Sequence, residues 1–338
     1  MTLRSPSVAV LGGGTWGTVV ASITARHTGT VLWLRDPELA ATVRETHRNP
    51  RYLPEFDLPP TLRATADLAE AVRDADVVFA AVPSPYLRRV LEAAAGHVRP
   101  LIPVISLVKG LEQGTRKRMT EVIAEVLPGH PAGVLSGPNI AREIAQGYAA
   151  AATLAMPHHH TAQALQTVLN TARYRVYTSD DVIGVEIAGA LKNVFAIAVG
   201  LGDGLGAGDN TRAMVITRSL HELTRLGTAV GGRPETFAGL AGMGDLIVTC
   251  VSPHSRNRHV GVELGRGRPL SQILAAMNQV AEGVKTTAAV TKLAAERGVE
   301  MPIAHEVDAV LNHGQPVEQT YRGLLRVIPG HEFYGDTW

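Results

Sequence analysis

Between an apolar run, Val8-Ala9-Val10-Leu11, and a helical pattern through Val19, Val20 and Ile23, the chain reads Gly12-Gly13-Gly14-Thr15-Trp16-Gly17. A GxGxxG segment at a strand-to-helix junction leaves few folds open. Gly12 permits a tight turn, Gly14 lets backbone approach a pyrophosphate, and Gly17 lets the helix pack closely on the strand with its N-terminus facing the anion. Alone the motif is weak, but the second apolar run at Val31–Leu34 completes the context that dinucleotide binding requires. An acid that accepts a ribose 2′-hydroxyl is expected about 20 residues beyond the glycines. The chain has Arg35-Asp36 there. Arg35 suits a 2′-phosphate or an adenine face and Asp36 a free ribose, so NAD and NADP both remain open.

Further strand-like runs follow at Leu62–Thr65, Val77–Val82, Val104–Val108, Val134–Leu135, Ala150–Ala155 and Arg175–Tyr177, with amphipathic stretches between them. This alternation predicts an α/β Rossmann-like doubly wound sheet, parallel and covered by helices on both faces. Asp67 with Glu70 reads as a capped helix start, and Pro83-Ser84-Pro85 ends the preceding strand. After Ser179-Asp180-Asp181 the strand-like runs largely stop, and helical patterns continue to about residue 326. Two domains are therefore expected: residues 1–180 for the dinucleotide and an all-α C-terminal domain, 181–338, for substrate and catalysis. Asp180 or Asp181 would cap a helix from Val182 to about Gly200, which the glycines up to Gly208 would end.

The 32 basic and 31 acidic residues nearly cancel, so no field that would recruit nucleic acid or an anionic membrane is expected. One cysteine, Cys250, rules out an internal disulfide and agrees with a reducing compartment. The N-terminus reaches its first strand without a signal-like apolar segment, so a cytoplasmic location is expected. Glu186, Lys192 and Asp203 interrupt the most membrane-like stretch, which reads as a buried helix. His158-His159-His160 follows Pro157 in what reads as a solvated loop, and no metal site is expected.

The chemistry is sought in the second half. Around Lys192 lie Val185, Ile187, Ala188, Gly189, Leu191, Val194, Phe195, Ala196 and Val199. Such surroundings should desolvate the lysine, disfavour its ammonium and bring it toward proton exchange with a carbonyl or alcohol oxygen. A snorkelling lysine, or one paired with Glu186, is the plainer alternative. Asp245, within Gly239-Leu240-Ala241-Gly242-Met243-Gly244-Asp245-Leu246, is a candidate to hold a hydroxyl or orient Lys192, or else a helix-cap or turn aspartate. Ser255-Arg256-Asn257-Arg258 gathers donors suited to phosphate, although helix starts share that composition. Lys109-Gly110 sets a cation at the C-terminal edge of the sheet, where doubly wound folds bind ligands.

Taken together, these segments resemble the prokaryotic-type NAD(P)-dependent glycerol-3-phosphate dehydrogenases. The likeness spans nearly the whole chain, through Gly12–Thr18, Val108–Glu112, Ser136-Gly137-Pro138, Glu186–Val194, Gly239–Leu246, Ser255–Arg258 and Glu282-Gly283-Val284. The resemblance implies that Lys192 donates and accepts the catalytic proton. It also implies that Lys109, Gly137, Asn139, Asp245, Ser255, Arg256 and Asn257 line the glycerol-phosphate site. Cofactor contacts would fall on Thr15, Trp16, Arg35, Lys109, Ala141, Arg256, Val280 and Glu282. A cytoplasmic homodimer supplying glycerol phosphate for phospholipid synthesis is implied as well. Asn139 stands where such proteins often carry Ser or Thr, Ala281 replaces a common Val, and Tyr52-Leu53-Pro54-Glu55 lacks a frequent Gly. A related hydroxy-acid or sugar-acid dehydrogenase would share the glycine motif but need not carry the Ser255–Arg258 set. A non-catalytic NAD(P)-binding sensor would have no need of Lys192 with Asp245.

Overall fold

A computed structural model describes residues 6–277 and 281–320. The chain divides into two compact units between Glu186 and Ile187. The strands of the first unit are β1 (Ser7–Leu11), β2 (Gly29–Trp33), β3 (Arg48–Asn49), β4 (Leu53–Asp57), β5 (Arg63–Thr65), β6 (Val77–Ala80), β7 (Val104–Ser106), β8 (Ala132–Ser136), β9 (Ala150–Ala155) and β10 (Tyr174–Ser179). Among the described residues they form one large sheet in the order β10-β9-β8-β7-β6-β1-β2-β5 and a small β3-β4 ribbon.

The period of two along each strand sorts side chains into two cores. Val8 and Val10 of β1, with Val77 and Phe79 of β6, pack on one face; Ala9, Leu11, Val78 and Ala80 pack on the other. Helices cover both faces, and in the large sheet β5, β2, β1, β6, β7 and β8 pair in parallel. The expectation of a wholly parallel sheet is corrected at one edge, where β9 runs antiparallel to β8 and β10 follows β9 in parallel. Between β8 and β9 the only helix is the five-residue Ala141–Ala145, at about 1.5 Å per residue too short to carry the chain back along the sheet for a parallel return.

In the second unit the described residues form helices without strands. The helix Val182–Gly204 crosses the division between the units, with Asp181 Oδ1 accepting from Gly184 N at its start. It runs past Gly200 because the glycines there serve packing rather than termination. A Cβ on Gly200 would lie 2.2 Å from the Arg258 carbonyl, and one on Gly204 would lie 2.4 Å from that of Val262. Reciprocally, on the helix Arg256–Gly265 a Cβ on Gly261 would lie 2.2 Å from the Ile197 carbonyl, and one on Gly265 would lie 2.6 Å from that of Leu201. Two glycines spaced one turn apart on each helix bring the backbones together. The chain turns at Gly206, where φ is +84°.

By length and composition Val182–Gly204 is apolar enough to cross a membrane, but 89% of its most apolar window is buried inside the protein, as in a core helix. His159 and His160 open the helix His159–Leu169, so the triplet is not the loop expected.

Candidate active site

The glycine segment folds as its spacing requires. Gly12 holds φ +114°, and a Cβ there would meet the Ala81 backbone at 2.9 Å. A Cβ on Gly17 would lie 2.0 Å from the Gly12 carbonyl and 2.9 Å from Ala81 Cβ, so only glycine lets this helix sit so close to the strand. Gly14, by contrast, faces open space within 4 Å. It precedes the helix Thr15–Thr24, whose first backbone N–H groups are aligned for an anion. The loop is held from outside by a residue that the sequence did not single out. Asn49, fully buried in β3, donates from Nδ2 to the Gly13 carbonyl and to Thr18 Oγ1, each at 2.9 Å. Thr15 Oγ1 donates to the Tyr52 carbonyl at 3.1 Å.

At the end of β2 the two adjoining side chains part company. Arg35 is exposed. Asp36 caps the helix Pro37–Thr46, accepting from Glu38 N and Leu39 N, and pairs with Arg51 at 2.8 Å. The Leu39 N–H bond and Arg51 hold its pKa below the usual carboxylate range. Asp36 is thus engaged in capping, and Arg35 is the residue presented to solvent.

At the far side of the sheet edge, Lys109 Nζ donates to the Gly137 carbonyl at 2.9 Å. Gly137 has φ +146°, and a Cβ there would meet Ala152 Cα at 2.9 Å. The segment after Lys109 is clipped in place by Arg88, whose Nε and Nη2 grip both oxygens of Glu112 at 2.8 and 3.0 Å. This bidentate pair holds the Glu112 carboxyl below its ordinary pKa. Asn139 accepts from the Tyr174 hydroxyl at 3.2 Å, and Tyr174 meets the Trp16 ring edge-on at 6.3 Å. Ala141 opens the short helix after Asn139.

The second unit assembles its polar groups differently. Lys192 is 5% exposed, and its ammonium donates to Asp245 Oδ1 and, at 2.7 Å, to Thr249 Oγ1. Asp245 and Thr249 are one turn apart on the helix Asp245–Val251, so one helix face presents both partners. The alternative pairing of Lys192 with Glu186 is corrected. Glu186 belongs to the first unit's network, where Arg118 Nη1 donates to Oε2 at 3.0 Å and Thr120 N to Oε1 at 2.8 Å. Desolvation nonetheless raises the Glu186 pKa, against the charge of Arg118. Cys250, beside this cluster, is buried, and desolvation pushes its thiol up to about 12, which leaves it inert as a nucleophile at neutral pH.

The Ser255–Arg258 segment resolves into separate jobs. Ser255 Oγ accepts from Arg258 N and caps the helix Arg256–Gly265. Arg258 does not join a phosphate set, because Asp203 holds its Nε and Nη2 at 2.8 and 2.6 Å. Arg256 is solvent-accessible yet surrounded by enough protein that desolvation lowers its pKa, with Glu282 opposing through its charge. Asn257 is buried, donating from Nδ2 to Asn193 Oδ1 and accepting from Gly283 N, each at 2.9 Å. It therefore ties the residue beside Lys192 to the start of the helix Glu282–Arg297. Val280 lies outside the described residues.

Residues 7–162 match the NAD-dependent glycerol-3-phosphate dehydrogenase N-terminus, and residues 181–322 match the C-terminus of the same family. The chain belongs to the NAD-dependent glycerol-3-phosphate dehydrogenase family. It is 61% identical to an NAD(P)+ glycerol-3-phosphate dehydrogenase of Mycobacterium avium over 98% of each chain. The Thermobifida fusca protein of that name is 47% identical over 97% of this chain and 99% of its own. The crystal structure of the glycerol-3-phosphate dehydrogenase from Coxiella burnetii superposes with a TM-score of 0.92 at 36% identity, covering 95% of this chain and 99% of that one. For this dehydrogenase family member, the sequence reading missed Asn49, Thr249 and Tyr174. Each acts through a partner distant in sequence, and only Thr249, one turn beyond Asp245, was within reach of a helical-spacing argument.

Proposed function

We propose that this chain interconverts dihydroxyacetone phosphate and sn-glycerol 3-phosphate, using NADH or NADPH. The observation that carries the reading is the buried Lys192 ammonium held by Asp245 and Thr249, in a chain whose two halves match this family in order. The cofactor fits the first unit. Gly14 leaves room beside aligned backbone donors, and Trp16 Nε1 is a buried donor with no hydrogen-bond partner among the described residues. Gly12, Gly14, Thr15, Trp16, Gly17, Arg35, Lys109, Ala141, Arg256, Val280 and Glu282 are the residues proposed to hold it. When bound, the reduced nicotinamide supplies the hydride for C2 of the ketone.

Lys192 delivers a proton to the developing C2 alkoxide, and in the reverse direction removes it from the alcohol. Asp245 and Thr249 fix the ammonium, so little reorganisation remains at the moment of transfer. Arg256 anchors the substrate phosphate, with Lys109, Gly137, Asn139, Ser255 and Asn257 completing the proposed substrate set. Asn257 serves by holding its neighbours, since both ends of its amide are engaged. We also propose a functional boundary at residues 180 and 181, supported by the second family match starting at residue 181. A cytoplasmic homodimer feeding phospholipid synthesis is the setting that the family resemblance supports.

The test follows NADH and NADPH oxidation with dihydroxyacetone phosphate beside unphosphorylated dihydroxyacetone. Oxidation dependent on the phosphate is expected. Equal rates with both ketones, or oxidation only with a hydroxy-acid precursor, would overturn the substrate assignment.

A further inference from the structure

We propose that Tyr174 is a positioning residue for Asn139: its hydroxyl fixes the direction of the Asn139 amide and leaves Nδ2 as the donor to an oxygen of bound cofactor or substrate. The proposal rests on the dehydrogenase reading for the identity of those ligands.

Tyr174 lies on β10, 2% exposed, far in sequence from both the glycine loop and the β8 edge. Its ring packs edge-on against Trp16, which stands in the first turn of the helix after that loop. Its hydroxyl donates to Asn139 Oδ1. An asparagine amide offers an acceptor end and a donor end, so engaging Oδ1 in this bond turns Nδ2 the other way. That Nδ2 is buried and has no hydrogen-bond partner among the described residues, and the same holds for Trp16 Nε1. Buried N–H groups are nearly always paired in native proteins. Here two unpaired donors belong to residues that Tyr174 touches. A third unpaired polar atom, Ser136 Oγ, lies at the end of β8 just before Gly137. This edge is the C-terminal end of the parallel strands, where doubly wound sheets receive ligands. Two N–H groups without acceptors at that edge call for a ligand rich in acceptor oxygens. A phenylalanine at position 174 would fill the core equally well but would lose the hydrogen bond to the amide.

The test uses Tyr174→Phe in the full chain. NADH dissociation constants are read from tryptophan fluorescence, and kcat and KM for dihydroxyacetone phosphate from turnover at saturating NADH. Loss of one orienting hydrogen bond should weaken ligand binding by about three- to tenfold with kcat changed less than about twofold. A weakened NADH constant places the acceptor on the cofactor, and a raised KM alone places it on the substrate. In an Asn139→Ala background the same change should add less than about 1.5-fold, because the amide it orients is gone. Both constants unchanged, or equal losses with and without the Asn139 amide, would overturn the proposal, whatever happens to the melting temperature. Should Tyr174→Phe fail to fold, Asn139→Asp keeps the acceptor for Tyr174 but removes the donor, and unchanged binding in that variant would overturn it equally. If the parent binds NADH but does not reduce dihydroxyacetone phosphate, the functional reading fails separately. The NADH constants then decide the role of Tyr174 alone.

Discussion

The glycine loop and the Lys192 cluster solve the same problem, holding polar groups ready for a ligand, with opposite materials. In the loop the donors are backbone N–H groups, and the side chains that matter are those left out at Gly12, Gly14 and Gly17. Around Lys192 the groups are buried side chains, an ammonium against a carboxylate and a hydroxyl, brought from two helices. A backbone site fails when atoms are added. A buried ionic site fails when one partner is removed, because the other stays desolvated without compensation.

The largest effect is expected at the ionic site. Lys192→Ala should lower kcat by about 10²–10⁴-fold while NADH affinity stays near that of the parent. Lys192→Arg should also be poor, since a guanidinium does not give up its proton at neutral pH. Single-turnover hydride transfer in a folded variant checks this. A rate within about threefold of the parent would remove Lys192 as the essential acid.

In the loop, adding atoms separates two roles. Gly17→Ala puts a methyl 2.0 Å from the Gly12 carbonyl and should destabilise the fold by about 1–3 kcal/mol. Gly14→Val meets no protein atom within 4 Å at its Cβ, so it should fold with at most about 1 kcal/mol lost at the helix start. NADH binding should nevertheless fall by about 5- to 150-fold, the equivalent of an unaccommodated group against the pyrophosphate. Paired thermal melts and NADH titrations distinguish the two. Normal NADH affinity in Gly14→Val would displace the pyrophosphate from this loop.

A removal elsewhere in the helical unit, at Arg256, should be milder. Arg256→Ala should raise KM for dihydroxyacetone phosphate by about ten- to a hundredfold, the worth of one charge-assisted phosphate contact. It should also erase most of the preference over dihydroxyacetone. Kinetics with both ketones read this out, and a preserved preference would move the phosphate to Lys109.

The same contrast explains what the sequence made legible. The loop is contiguous, its roles follow from spacing, and the strands that feed it announce themselves as apolar runs. Lys192 also stood out, because its apolar neighbours lie on its own helix. Asp245 stood out from its glycine-rich setting as a candidate to orient it, with Glu186 left open as an alternative partner. Glu186 is near in sequence but about 120° away around the helix from Lys192, whereas Asp245 arrives from another helix. The β3-β4 ribbon escaped because β4 carries Pro54 and mostly exposed or half-exposed residues, with no apolar alternation to read. The reversal of β9 escaped because an apolar run shows burial but carries no direction. Glycines 200 and 204 read as a helix end because the carbonyls they approach belong to a distant helix.

The smallest effect on turnover, and a separate test of how the helical unit tolerates buried charge, concerns Glu222. It is 2% exposed and spends its oxygens on the first turn of the helix Pro302–His313, accepting from Ile303 N at 2.7 Å and Ala304 N at 3.2 Å. Desolvation raises its pKa from 4.5 to about 7, against those N–H bonds and the charges of Arg225 and Arg218. The folded state therefore keeps a proton that the unfolded chain releases near pH 4.5, and the sign follows from that. Stability from this group is fully present below about pH 4.5 and is lost as pH rises through about 7, by roughly 3 kcal/mol in all. Glu222→Gln keeps an acceptor for one N–H and cannot ionise, so it should flatten the fall in stability between pH 5 and 8 while leaving turnover unchanged. Urea unfolding of parent and variant across that range measures the difference between their slopes, which cancels titrating groups common to both, Glu186 included. Identical slopes would mean that Glu222 titrates alike in the folded and unfolded states, and that the helix N-terminus compensates its charge as fully as water does.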